Sequence, residues 1–206
     1  DYTGIREYGD NILLFSQAES GTSLTLVSKK TAAVLQTVDL GCTLDPDSGD
    51  LQTGSNRLAY YDRNSRLLVF LDSTLRQTGQ VELPEDIQGS LVMSRDLNRI
   101  YYCIPNEIRM LDLQSGISRL LKQHGVTAQS LISLCFEESL LVCTADYDDG
   151  TEKTLYISTT NGATIYTEDG HRCFTACKNA YFAPRTDGSV QEFLFGLRGE
   201  ATQNLT

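Results

Sequence analysis

The residues best placed to do chemistry in this sequence are acids crowded into short loops. The stretch 145–152 reads ADYDDGTE and gathers Asp146, Asp148, Asp149 and Glu152 around Gly150. Carboxylate oxygens are the hard ligands that calcium takes, about six to eight at a time. Asp146, Asp148 and Glu152 are the expected ligands if the loop holds that ion; otherwise no cofactor is expected. The spacing departs from the EF-hand pattern, which needs alternating acids before its Gly and a Glu at the end of the loop. Asp-Gly is also a strong signal for an exposed hairpin, so a plain turn competes with the metal reading. Asp45-Pro46-Asp47-Ser48-Gly49-Asp50 is a thinner version of the same arrangement. Asp45 and Asp47 join the first loop as candidate binding residues, against an ordinary connection between strands.

Paired carboxylates also serve glycosidases. Here the acids fall in turns rather than on apolar strands, where a central substrate would be held. Ser94-Arg95-Asp96 lacks the Gly and Trp of a sialidase-type Asp box, and the chain has no Trp. The six cysteines, Cys42, Cys103, Cys135, Cys143, Cys173 and Cys177, contain no CxxC pair and no zinc spacing with His124 or His171. Cys173 and Cys177 lie on one extended run, about 13 Å apart at strand rise, which is too far for a disulfide. Cys135 and Cys143 are out of register across their hairpin. Free thiols are expected throughout. His124 and His171 fall in connections, where solvated histidines are the ordinary outcome and a pH-sensitive pair the remote one.

These residues hang on a repeated frame. Residues 86–121 hold four apolar runs of about five residues, broken by turn signals at 95–99, Pro105-Asn106 and Gln114-Ser115-Gly116. That is four short antiparallel strands. The second strand of each such unit starts near residues 11, 56, 98, 138 and 179, so the period is 40 to 45 residues. Third strands read SLTLVS, LLVFLD, EIRMLD, TLYIST and EFLFGL. Tyr60-Tyr61 and Tyr101-Tyr102 fall on second strands, with one ring of each pair expected in and one out. A weak amphipathic reading of 113–124 loses to the turn at Gly116 and the β-branched Ile117. A four-stranded sheet cannot bury both faces alone, and copies at this period pack face to face around an axis. The expectation is an all-β chain, a β-propeller of about five four-stranded antiparallel blades at about 1–40, 41–84, 85–123, 124–169 and 170–206. Either a closed five-blade ring or part of a six- to eight-blade ring would satisfy the count.

The phrase from Ser94-Arg95-Asp96 through Tyr102, followed by Ile108 to Gly116, resembles the repeat of YVTN-type and WD-repeat-like bacterial β-propellers. Other units keep parts of it: Asn56-Arg57 and Leu71-Asp72 in the second, Asn161-Gly162 in the fourth. The Trp-Asp dipeptide is missing from every unit. The resemblance implies a fold; function must come from a site.

Composition narrows the function. The chain has 206 residues, with 27 Asp and Glu against 17 Lys and Arg, a net charge of −10. Such a molecule repels a nucleic-acid backbone, and no basic cluster reverses this. No apolar run is long enough to cross a membrane as a helix. The sequence starts at Asp1 without Met, as a processed export signal or a domain boundary would leave it, and an extracytoplasmic location is expected. Within a propeller, the loops joining second to third strands and one blade to the next share an end. That end collects about fifteen acids, including Glu19, Asp62, Glu107, Glu85, Asp86, Glu168, Asp169 and Asp187, against six cations (Arg63, Arg66, Lys122, Lys153, Arg172 and Arg185), roughly −9. The expected function is non-enzymatic binding of a protein or peptide, a basic one where the acidic face selects its partner. The alternative is a carbohydrate-binding or carbohydrate-active propeller, lectin-like or a degenerate glycosidase. A lectin repeats its pocket in each blade, whereas no polar-aromatic group recurs five times here.

Overall fold

A computed structural model describes residues 2–45, 49–54, 57–83, 87–123, 128–135, 137–147, 149–170, 175–177, 180–184, 190–194 and 204–205. These residues form twenty strands in five four-stranded antiparallel sheets, and no helix occurs among them. The chain divides into two compact units: Asp1–Asp86 with Arg95–Asn98, and Ile87–Ser94 with Arg99–Thr206.

The first unit holds two sheets. One runs β1 (Gly4–Tyr8), β2 (Asn11–Ala18), β3 (Gly21–Ser28), β4 (Val34–Asp39); the other runs β5 (Leu51–Thr53), β6 (Arg57–Asp62), β7 (Leu67–Asp72), β8 (Gln77–Glu82). The second unit holds three. They are β9 (Gln88–Met93) to β12 (Ile117–Gln123) through β10 (Arg99–Ile104) and β11 (Glu107–Asp112), and β13 (Ala128–Cys135) to β16 (Thr164–Asp169) through β14 (Leu140–Asp146) and β15 (Glu152–Ser158). The last comprises β17 (Thr175–Cys177), β18 (Ala180–Pro184), β19 (Val190–Leu194) and β20 (Asn204–Leu205). In every sheet the strands lie in chain order, each turning back on its neighbour. Short loops dictate this, because a tight turn can only join antiparallel strands. The stretch 113–124 supplies a turn and β12 rather than a helix.

The middle strands explain why the sheets stack. Leu58, Ala59, Tyr60 and Tyr61 are consecutive on β6, and all four are buried. Successive side chains point to opposite faces, so β6 is covered on both. The same holds for Ile100 to Cys103 on β10 and for Leu140 to Cys143 on β14. The expectation of one tyrosine in and one out is therefore corrected. Tyr60 enters the core shared by the first two sheets, while Tyr61 is buried on the other face. Tyr101 enters the core between the third and fourth sheets, and the Tyr102 hydroxyl lies 3.1 Å from Ser118 Oγ on the opposite face. In the second unit β9 and β13 are in contact, so the first strands of adjacent sheets sit together and the fourth strands lie outermost.

Cys103 and Cys143 occupy matching positions on β10 and β14, in that same core. Both are free and buried, as is Cys42. Burial pushes the Cys42 thiol up to about 11, helped by nearby Asp62 and Asp50, and the Cys103 thiol up to about 12. Burial raises the Cys143 thiol further. Cys143 stands opposite Leu131, and Cys135 opposite Leu140, which keeps the two cysteines of that hairpin apart. Cys135 and Cys177 fall on β13 and β17. Cys173, His124 and His171 lie outside the described residues.

Polar ties fix neighbouring sheets and turns within each unit. In the first, Arg6 Nη1 donates to the Leu51 carbonyl at 2.9 Å. Arg57 Nη2 donates to the Asp96 carbonyl at 2.6 Å and to Asn98 Oδ1 at 2.7 Å, with its guanidinium 5.2 Å from the Phe70 ring centre. In the second, Arg119 Nη2 on β12 donates to the Thr159 carbonyl at 2.9 Å. Beside that tie the turn at Gly162 (φ +72°) comes so close to β12 that a Cβ would fall on the Leu121 carbonyl oxygen. Gly116 has a similar φ of +69° and open space around it.

Gly162→Ala should therefore cost about 3 kcal/mol, from left-handed strain plus a backbone clash. Gly116→Ala should cost about 1 kcal/mol, from strain alone. Urea unfolding of both variants checks the difference. A thiol reagent at pH 8 should barely touch Cys42, Cys103 and Cys143 in the folded chain, since a pKa near 11 leaves only about one thiolate in a thousand. Unfolding should release them, and close to six thiols should count in denaturant without reductant. Because these thiols are raised in the folded state, their contribution to stability is whole below pH 9 and declines as pH rises towards 11 to 12. An alkaline denaturation series reads that decline.

Candidate functional site

The loop between β14 and β15 is the best-formed acidic feature. Its hairpin is closed by the Tyr147 amide donating to the Thr151 carbonyl and the Gly150 amide donating to the Tyr147 carbonyl, both at 2.9 Å. Gly150 takes φ +80°, which the turn needs and which Asp-Gly provides. Register then places Asp146 directly opposite Glu152, and Lys153 opposite both Ala145 and Asp169. Two carboxylates thus face each other across the last rung of β14 and β15. The Gly170 amide donates to the Glu152 carbonyl at 2.8 Å and folds the end of β16 against them.

The result is an open depression of about 450 Å³ lined by Asp149, Thr151, Glu152, Lys153, Asp169 and Gly170. Asp146, Asp149 and Asp169 are exposed, and Glu152 is half-buried. Asp149 accepts from the Thr151 amide at 2.9 Å and the Thr151 hydroxyl at 2.6 Å. Those bonds, the hydroxyl first, hold its carboxyl below the usual aspartate range. Lys153 is the one cation lining the depression among the described residues. Its Nζ lies 3.6 Å from Asp169 Oδ1 and 5.4 Å from the Tyr147 ring centre. Asp148 lies outside the described residues. Among the described residues, no group of three or more His, Cys, Asp or Glu side chains stands close enough together to hold a metal ion.

The second acidic loop divides differently. Asp47 lies outside the described residues, and Asp45 is exposed. Asp50, expected among the exposed acids, is 1 % exposed. Arg63 Nε donates to its Oδ2 at 3.0 Å, and Nη2 sits 2.7 Å from Oδ1 in an ion pair without hydrogen-bond alignment. The Asp45 amide donates to Oδ2 at 3.2 Å, while the Asp50 carbonyl accepts from the Tyr61 amide at 2.8 Å. A buried carboxylate is tolerable only with such partners. Asp50 therefore ties its loop to β6 and is withdrawn from the solvent-facing acids.

Other acids are also engaged. Glu107 Oε2 pairs with Arg109 at 2.6 Å. Asp62, Asp72, Asp96 and Asp112 each accept from the amide two positions on, and Asp72 and Asp112 are lowered by the hydroxyls and amides of their own turns. These are Asx turns, in which a short carboxylate replaces a backbone acceptor. An Asp ending a strand, with Ser, Thr or Asn two or three positions later, is the sequence signal that could have identified them. Asp187, Glu85, Asp86, Arg172 and Arg185 lie outside the described residues.

The sequence matches no family model and no curated protein. Solved structures similar to the chain include the β-propeller domain of Cps50 (Swd1) from Myceliophteria thermophila, at TM-score 0.64 and 9 % identity over 99 % of this chain and 70 % of that one. A chain of a mitotic checkpoint complex aligns at TM-score 0.64 and 14 % identity, over 99 % of this chain and 64 % of its own length. Hsv2 from Kluyvelomyces marxianus aligns at TM-score 0.58 and 10 % identity, over all of this chain and 73 % of that one. The chain thus spans about two thirds of the length of these neighbours. At such identities the likeness concerns fold alone, and the fold is a β-propeller made of four-stranded antiparallel blades.

Proposed function

We propose that this chain is a non-enzymatic binding propeller whose blade-end acids dock a basic segment of a protein or peptide. The observation that carries the reading is the rung at which Asp146 faces Glu152. Like charges directly opposite in an antiparallel pair are destabilising, by up to about 1 kcal/mol. Glu152 lines an open depression in which Lys153 lies near Asp169 and Tyr147. A Lys or Arg side chain entering from a partner would add a favourable charge at this rung, and a one-signed surface speeds encounter with the opposite sign. A propeller of similar fold within a mitotic checkpoint complex, a protein assembly, supports a partner of this class. Calcium at Asp146, Asp148 and Glu152 would use the same carboxylates, and the experiment below separates the two.

A fluorescently labelled decapeptide rich in Lys and Arg is the probe. Its anisotropy should rise on adding the protein, and the affinity should fall at least tenfold as salt shortens the screening length from about 10 Å at 0.1 M to about 3 Å at 1 M. Asp146→Lys with Asp149→Lys should abolish binding. Reversal of Asp10, exposed at the other end of its blade, should leave it unchanged. Displacement of the peptide by millimolar calcium, but not by equal magnesium, would assign the loop to the metal instead. Equal losses from Asp10→Lys and from the loop variants would remove the docking end.

A second expectation separates function from stability. Asp146→Asn should raise the urea midpoint slightly, by up to about 1 kcal/mol, because it removes a repulsive rung. The same change should weaken the peptide. A docking residue trades stability for binding in this way, whereas a merely solubilising one does not.

A further inference from the structure

The outermost strands of the blades differ in how they protect their open edges. Such a strand offers a row of unpaired amides and carbonyls, and proteins usually blunt it with charges, glycine or brevity. β8 carries Gly79 and Glu82, β12 carries Arg119 and Lys122, and β16 ends in Glu168 and Asp169. β4 has neither charge nor glycine between Val34 and Val38, which read Val-Leu-Gln-Thr-Val, and keeps only the bulge, here at Leu35, that β8, β12 and β16 also have. It lies at the end of its sheet, bonded among the described residues to β3. Val34 is 62 % and Leu35 52 % exposed, placing two large aliphatic side chains in water at an open edge.

Charge enters only at the two ends of this strand, with opposite signs. Lys29 and Lys30 precede it in the turn, and Asp39 closes it. The Lys29 ammonium is held by Glu7 and the Gly9 carbonyl, which leaves Lys30 as the exposed cation. Asp39 accepts from the Ser23 hydroxyl and stays exposed. A strand positive at its start, negative at its end and neutral between is complementary to itself when reversed. An antiparallel second copy would bring the Lys30 end of each strand towards the Asp39 end of the other. It would also cover Val34 and Leu35 and fill both rows of open backbone groups. A parallel copy would set like charges together.

We infer that β4 is a self-pairing edge: two copies of this chain join β4 to β4 antiparallel about a twofold axis, fusing their first sheets into one eight-stranded sheet. The partner is a second copy because the order of charges, and an uncharged run with valine at each end, match the strand's own reverse. This surface is separate from the acidic depression and does not depend on it.

Sedimentation over a concentration series tests the inference. The expected result is a species of twice the 22.8 kDa of one chain that dissociates on dilution. Hydrogen exchange should slow in Val34–Asp39 as concentration rises and stay unchanged in Ile117–Gln123. Leu35→Lys should give a monomer with the same far-ultraviolet spectrum, while Leu120→Lys on β12 should leave the dimer intact. Lys30→Asp should weaken association at least fivefold, and adding Asp39→Lys should restore it, since the swapped ends are complementary again. A single 22.8 kDa species at every concentration would overturn the inference. So would a dimer that survives Leu35→Lys, or one that Leu120→Lys dissolves equally well.

Discussion

Burial of the middle strands on both faces is the constraint on which the rest of this molecule depends. A sheet with one polar face can stand half in water, but β6, β10 and β14 have no polar face to offer. Leu58 and Tyr60 close against Leu13, Phe15 and Leu24 in the first unit; Tyr101 and Cys103 close against Leu141, Cys143 and Leu155 in the second. Each such side chain contributes about 1.5–3 kcal/mol when fully removed from water, so stacking outweighs any local preference of a single hairpin. Once stacking is obligatory, the sheets need fixed spacing. Arg6 and Arg119 provide it by reaching across to carbonyls of the adjoining sheet and its turn, while Arg57 holds the turn at 95–98. The close approach at Gly162 shows how little room is left.

The acids divide into two populations by the same geometry. Those at a strand end or in the turn after it fold onto their own loops: Asp62, Asp72, Asp96 and Asp112 each replace a missing acceptor. Asp50 is buried with Arg63 and joins a connection to β6. These carboxylates are engaged in holding local structure. Asp146, Glu152 and Asp169 gather instead at one end of one blade, where hairpin register forces the first two face to face. Net charge alone does not separate the two groups, since a structural acid and a docking acid count alike towards −10. Only the second group sets two carboxylates directly opposite each other across a ladder rung.

The outer strands show a different compromise. They contribute least to the core, so their composition is free to vary, and it varies in a way that bears on association. Ile117 and Leu120 on β12 are as apolar as the residues of β4, yet Arg119 and Lys122 accompany them. Arg119 is itself spent on the next sheet, so one residue both ties adjacent blades and guards an edge. β4 has no counterpart to it.

The period of 40 to 45 residues, the turn residues and the apolar runs were enough to specify five four-stranded sheets, because strand periodicity and tight turns are local properties. Strand limits differ by a few residues: β14 begins at Leu140 rather than Glu138, because 137–139 form the turn, and β15 begins at Glu152 rather than Thr154, because hydrogen bonding extends past the apolar run. The burial of matched Cys103 and Cys143 was legible for the same reason. The sequence could not show that Asp50 is buried, because the partner that makes this possible, Arg63, lies across a strand and a turn. Nor could it show that both rings of Tyr101-Tyr102 are enclosed, since alternation assigns faces but not what covers them. The facing of Asp146 and Glu152 likewise depends on the register of one hairpin, and a slip of one residue would have turned the two acids to different rungs. Local chemistry determined the elements; long-range packing decided which charges remain for a partner, because burial and register belong to neighbours that the linear order of residues does not name.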